Sequence, residues 1–393
     1  MMTSSRRPLL AITLIWGFAP VLALAQPYFP PRGEWAHRAP ADAGMDAARL
    51  QAAIDFSIAH ENPHTKDLAQ ELKETFGAHE PMWRLLGPTQ PRGGMTGLVI
   101  RHGYVVAQWG DPDRVDMTHS VTKTFLTTLV GLAWQRGLIH DLSDRPKDVA
   151  PLAKLFAGEH NAAITWEHLL RQTSDWSGTL WDIPDWADRP VGETPAAQQD
   201  RAMHAPGTFY KYNDVRVNLL SLATLQVWKK PLPEVLRDQV MNPIGASTTW
   251  HWEGYDNSWV EIGGQRLQSV SGGGHFGGGM FINAWDMARF GYLFLRRGSW
   301  AGHEIVSEKW IALARSPGQA NANYGFANWF LNTDRKSWPS APASAVIFEG
   351  NGTNIVYLDW ENDLVVVTRW IDSKSIDEFL GKVLGAINPV APY

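Results

Sequence analysis

The sequence predicts an α+β fold: an antiparallel sheet built from both ends of the chain, flanked by terminal helices, with an inserted domain that is mostly helical. Three observations carry this. β-rich runs fall at 95–100 and 104–109 and return at 345–348, 354–360 and 364–370. Between them, over 141–245, the pattern is mostly helical. Helical spacing also frames the whole, at 46–60 and 374–387. The implied division is 26–140 with 246–393 as one discontinuous sheet domain, and 141–245 as the helical domain.

Taken in order, the chain opens with Arg6 and Arg7 before an apolar run over 9–22, followed by Ala23-Leu24-Ala25. Small residues two apart after such a run mark a secretory signal, here residues 1–25, cleaved before Gln26. The expected location is therefore secreted or periplasmic, with no stable membrane insertion after cleavage. Residues 26–45, rich in Pro and Gly, read as an extended lead-in. Leu50, Ala53, Ile54 and Ile58 give the first helix its apolar face, and a short helix is expected over 65–76. Arg101-His102-Gly103 joins the first two strands as a hairpin.

Residues 119–139 read as one buried helix with almost no polar face, ended by Gly137. Thr165 caps a helix beginning at Trp166. The stretch 173–208, rich in Trp, Asp, Pro and Gly, reads as a long ordered loop carrying Trp176, Trp181 and Trp186. A second strongly apolar helix covers 215–228, and another follows at 232–240. The glycine-dense run 271–279 invites a phosphate-loop reading, but no G-K-[ST] and no preceding βαβ pattern accompany it. Tight backbone packing is the better reading. A helix over 284–296 precedes the last three strands and the terminal helix.

Composition narrows the function. The net charge is −5, which argues against a nucleic-acid partner, and 44% hydrophobic residues suffice for a large core. Cysteine is absent, so neither disulfides nor a thiol nucleophile are available. The chemistry below calls for no metal and no cofactor.

That chemistry sits at the start of the 119–139 helix. Ser120 and Lys123, three positions apart, share one helix face and make the only S-x-x-K of the chain. A hydroxyl beside an amine is a potential nucleophile and base. Burial and the positive end of the helix dipole both favour the neutral amine, which can take the hydroxyl proton. First-turn N–H groups are free to stabilise negative charge.

Further pieces join it: Leu169-Leu170-Arg171-Gln172-Thr173-Ser174, Tyr212-Asn213-Asp214 leading to Leu219-Leu220, Asn242-Pro243-Ile244-Gly245, and Gly277-Gly278-Gly279-Met280. In this order and spacing, over roughly 40–385, the chain resembles the serine hydrolases related to class C β-lactamases and penicillin-binding proteins. That group includes family VIII carboxylesterases and 6-aminohexanoate-dimer hydrolases. The resemblance implies a β-lactamase/transpeptidase-like fold and three motifs, S-x-x-K, Y-x-N and K-T-G. Here the first is intact. Tyr212 fills the second, with Tyr210 a packing residue, and Asp214 stands where Asn is usual. In the third place stands Phe348-Glu349-Gly350, without Lys, which resembles the esterase branch and speaks against efficient β-lactam hydrolysis.

The resemblance implies that Ser120 attacks an acyl carbonyl while Lys123 and Tyr212 share its proton. A cationic Lys beside the phenol would lower its pKa and make Tyr212 a base. The N–H groups of Ser120 and Asn351 would cradle the oxyanion, with Asp214, Gly350, Asn351 and Trp181 lining the substrate site. The Trp-rich loop reads equally as pocket wall or as buried packing, and His275 as a structural histidine. The expected partner is a small-molecule ester, amide or lactam. The rival readings are a β-lactamase or D,D-peptidase, and an inactive relative serving as a binding or sensory module. Oligomeric state stays open.

Overall fold

Alternation of side chains decides the central sheet. A computed structural model describes residues 27–190, 197, 199 and 201–389; the expected signal peptide lies outside them. We label the strands β1 (Thr96–Arg101), β2 (Tyr104–Trp109), β3 (Asp116–Met117), β4 (His251–Ile262), β5 (Gln265–Val270), β6 (Gly279–Ile282), β7 (Phe330–Leu331), β8 (Val346–Gly350), β9 (Asn354–Asp359) and β10 (Leu364–Arg369). The central sheet runs β7-β8-β9-β10-β1-β2, antiparallel throughout, so strands from the two ends of the chain meet where β1 pairs β10. Because successive residues face opposite sides, Leu98, Ile100, Val356, Leu358, Val365 and Val367 enter one core, and Val99, Ile355, Tyr357 and Val366 the other.

The main helices are α1 (Ala47–Ala59), α2 (Thr122–Gln135), α3 (Asp214–Trp228), α4 (Ala284–Leu295) and α5 (Ile376–Gly385). α1 and α5 cover the second face, where Leu50, Ala53, Phe379, Leu380 and Val383 join its core. Asp46 caps α1 by accepting from the Arg49 N–H at 2.9 Å. α4 covers the first face, and Phe290 on it stacks at 3.9 Å on Phe125 of α2. α2 is buried on all sides from Thr122 to Ala133, as its apolar sequence predicts. Its helix begins later than the sequence pattern, because His119–Val121 form a tighter 3-10 turn ahead of it. α3 packs along α2, with the Trp228 indole donating to the Leu129 carbonyl at 3.1 Å.

A second antiparallel sheet, β3-β6-β4-β5, lies beside the first. Arg369 joins the two: from the end of β10 its guanidinium donates to the Ile282 carbonyl at 2.5 Å, the Met117 carbonyl at 3.0 Å and Asn354 Oδ1 at 2.8 Å. The short strands β3 and β7 escape the sequence pattern, since two residues carry no periodicity. Two predicted helices, 65–76 and 232–240, instead break into a short α-helix followed by a π turn.

Candidate active site

The seam between the two sheets and α2 holds the S-x-x-K motif. β3 delivers the chain to the seam, and His119 reverses it with a left-handed φ of 49°. Ser120 follows in the 3-10 turn and Lys123 lies in the first turn of α2, with Nζ and Ser120 Oγ 2.7 Å apart. The end of β8 lies against this turn. A Cβ on Gly350 would fall 2.2 Å from the Thr118 carbonyl and 3.1 Å from the Ser120 nitrogen, so only glycine fits.

Lys123 is fully buried and paired. Asp214, at the start of α3, places Oδ1 2.6 Å from Nζ. Asp214 is expected to border the substrate, and here one of its oxygens is committed to Lys123 while the other accepts from Arg189 Nη1 at 2.8 Å. Asn213 caps α3, and Asp188 Oδ2 accepts from the Asp214 and Val215 N–H groups, so the carboxylate is fixed by the helix that carries it. The glycine-rich run 271–279 closes over the pair. At Gly273 a Cβ would fall 2.1 Å from both Asp214 Oδ1 and Lys123 Nζ, which agrees with close backbone packing and shows what is packed.

Burial sets the charges. It pulls Lys123 below the usual amine range, against the opposing pull of Asp214. Burial also resists ionisation of Asp214, but Lys123, Arg189 and His275 outweigh it and hold the carboxyl well below its usual range. Tyr212 goes the other way. Burial first, then the Asp214 charge, pushes its phenol well above the usual range, while Arg189 and a hydrogen bond with Ser120 offset only part. The direction runs against the expectation that Lys123 lowers the Tyr212 phenol's pKa. Lys123 Nζ does lie 4.7 Å from the Tyr212 ring centroid, yet desolvation of the phenolate is the larger effect. Pushed apart in this way, the amine suits the role of base and the phenol that of acid.

A cavity of about 530 Å³ opens on Ser120. Tyr212, Asp214, Gly350 and Asn351 line it, as does Glu349. Tyr210, expected as a packing residue, also reaches this wall while its ring lies 4.9 Å from that of Tyr324. Phe348 points into the core and supplies nothing to the cavity, so the third motif brings no cation there. Asn351 donates through Nδ2 to both Glu71 oxygens at 3.0 Å, which leaves its main chain for any role toward substrate. Trp181 is not among the lining residues. It sits at the tip of a small hairpin with φ 51° and packs on the core, while Trp176 is fixed by its indole N–H to the Leu155 carbonyl at 2.7 Å. Packing is thus the role of both.

Sequence reasoning missed Arg189, Asp188 and Glu80, and set His275 aside. Arg189 extends from the loop after Trp186 and bridges Asp188 Oδ1, at 2.6 Å, to Asp214. Glu80 accepts from the Arg189 N–H at 3.1 Å and lies 2.7 Å from His275 Nε2. No local motif marks these positions. Glu80, Asp188 and His275 have the composition of a metal cage, with ligand atoms within 4.8 Å of one another. All four carboxylate oxygens already have protein partners, however, and the Arg189 guanidinium stands as the counter-charge. The cluster is an ion-pair network.

Comparison with known proteins agrees with this architecture. The Beta-lactamase family model matches residues 67–370. Among solved structures, a family VIII carboxylesterase superposes with TM-score 0.56 at 14% identity, covering 87% of this chain and 99% of its own. A penicillin-binding protein homologue from Caulobacter crescentus gives TM-score 0.55 at 15% identity, covering 87% and 99%. EstCE1, a hydrolase with promiscuous acyltransferase activity, gives TM-score 0.55 at 16% identity, covering 87% and 100%. These identities bear on the fold alone. The search of curated proteins finds no match.

Proposed function

The chain belongs to the Beta-lactamase family, and from that premise we propose that it is an exported serine hydrolase cleaving small-molecule esters or amides through an acyl-enzyme on Ser120. One observation carries the reading: a fully buried Lys123 with Nζ 2.7 Å from Ser120 Oγ, beside the Tyr212 ring and open to the cavity through the serine.

In this reading neutral Lys123 takes the Ser120 proton as Oγ bonds to the acyl carbon. The N–H groups of Ser120 and Asn351 receive the negative charge that gathers on the carbonyl oxygen. Tyr212 donates its proton to the departing alcohol or amine and is restored by the proton on Lys123. Water then attacks the acyl carbon, giving its proton to the same pair, and Ser120 leaves with that proton as the acid is released. Phe348 in place of a cation offers nothing to a substrate carboxylate, which supports neutral esters and amides over β-lactams.

Intact mass of the protein recovered from the culture, before and after a fluorophosphonate, tests this. The expected result is a chain lacking residues 1–25 that gains a single adduct, with none on Ser120→Ala. Nitrophenyl esters should turn over faster than a cephalosporin. No adduct on either protein would sink the hydrolase, and a retained Met1 would sink cleavage of the signal before Gln26.

A further inference from the structure

Lys123 answers to one carboxylate, and that carboxylate answers to a histidine. The Nε2 of His275 lies 2.7 Å from Glu80 Oε2, and its Nδ1 faces Asp214 Oδ2 at 3.6 Å. This Nδ1 is buried and has no hydrogen-bond partner. Asp188 Oδ1 stands 3.9 Å from Nε2. The ring is held in place by Phe76 at 4.0 Å and Phe276 at 4.5 Å, and the Trp83 indole donates to its carbonyl at 3.1 Å. We propose that His275 is a positioning residue: anchored by Glu80, it ends a buried charge chain through Asp214 and Lys123 to Ser120, and its charge sets how readily Lys123 accepts the serine proton.

The argument is one of sharing. Only the imidazolium directs an N–H toward both Glu80 and Asp214, because the neutral ring donating to Glu80 would present a lone pair to a carboxylate. Around it stand three acidic groups, Glu80, Asp188 and Asp214, and two other basic ones, Arg189 and Lys123. Positive charge at Asp214 Oδ2, from Arg189 and His275, weakens the hold of the same carboxylate on Lys123 through Oδ1. Without it, Asp214 keeps Lys123 protonated and unable to act as base.

The proposal rests on the serine-hydrolase reading, and the test separates the two. The measurement is kcat/KM for nitrophenyl acetate against pH, for wild type, His275→Gln, Asp214→Asn and the double variant. His275→Gln should move the acidic limb up by about one pH unit, a roughly tenfold loss on that limb, with the high-pH plateau kept within a few fold. Asp214→Asn should move the limb down, and in its background His275→Gln should move it no further. A lowered plateau with an unmoved limb would make His275 merely structural, and a shift that persists without Asp214 would break the chain; either overturns the proposal. Should His275→Gln lose its near-UV dichroism, Asp214→Asn decides alone, and a limb at the wild-type pH refutes it. A wild type inert to both ester and fluorophosphonate would remove the hydrolase reading and this inference with it.

Discussion

Lys123 and Tyr212 are both buried beside Ser120, yet burial drives their protons in opposite directions. The charged form of the amine is an ammonium and that of the phenol a phenolate, so one environment lowers the first pKa and raises the second. Under the proposed mechanism this divides the labour, with the amine as base and the phenol as acid. Tyr212→Phe should cost about 10²-fold or more in kcat for alkyl esters, whose leaving alkoxide needs a proton. It should cost far less for nitrophenyl esters, whose leaving group departs unaided. Equal losses on both, in steady-state rates, would place the phenol in some other step.

Elements matter through how closely they approach. The 271–279 turn crosses the Lys123–Asp214 pair with only hydrogen at Gly273 between backbone and charge. Gly273→Ala must push one partner aside, and a displaced partner in this interior loses its counter-ion. The expected cost is about 1–3 kcal/mol in stability, read from the urea midpoint, together with loss of the fluorophosphonate adduct. An unchanged adduct rate would mean that the turn can yield without moving Lys123. Gly350 holds β8 against the Ser120 turn by the same logic.

Across the whole molecule, the site occupies the seam where two sheets and α2 converge, and the seam is vulnerable to acid. His119 is buried there, its Nε2 without a partner and its ring edge-on to Trp370 at 6.2 Å. Burial, followed by the charges of Arg369 and Lys123, pushes it down to about 3. The unfolded chain binds this proton near pH 6.5 and the folded chain only near 3. Stability from this residue is therefore complete above pH 6.5 and drains as pH falls toward 3, on the order of 5 kcal/mol at most. Asp214, held low in the fold, adds a further loss below about pH 4, where the unfolded carboxylate takes its proton. His119→Gln should flatten the upper part of this loss in urea titrations run from pH 7 to 4. An unchanged slope would assign the acid sensitivity elsewhere.

The sequence by itself determined whatever depends on near neighbours. The β-rich apolar runs in β1, β9 and β10, the apolar run of α2, and the three-residue spacing of Ser120 and Lys123 are local facts, and the fold class and the candidate Ser120–Lys123 pair follow from them. The tertiary structure decided what depends on long contacts and on solvent. Asp214 meets Lys123 across 91 positions, and Glu80 meets His275 across 195. No spacing rule reaches that far. Desolvation, which raises the Tyr212 pKa where the sequence led one to expect a lowering, is a property of the packed interior, and so is the absence of Trp181 from the cavity lining. A sequence records which groups are present and how they are spaced along the chain, while the fold determines which of them lose water together.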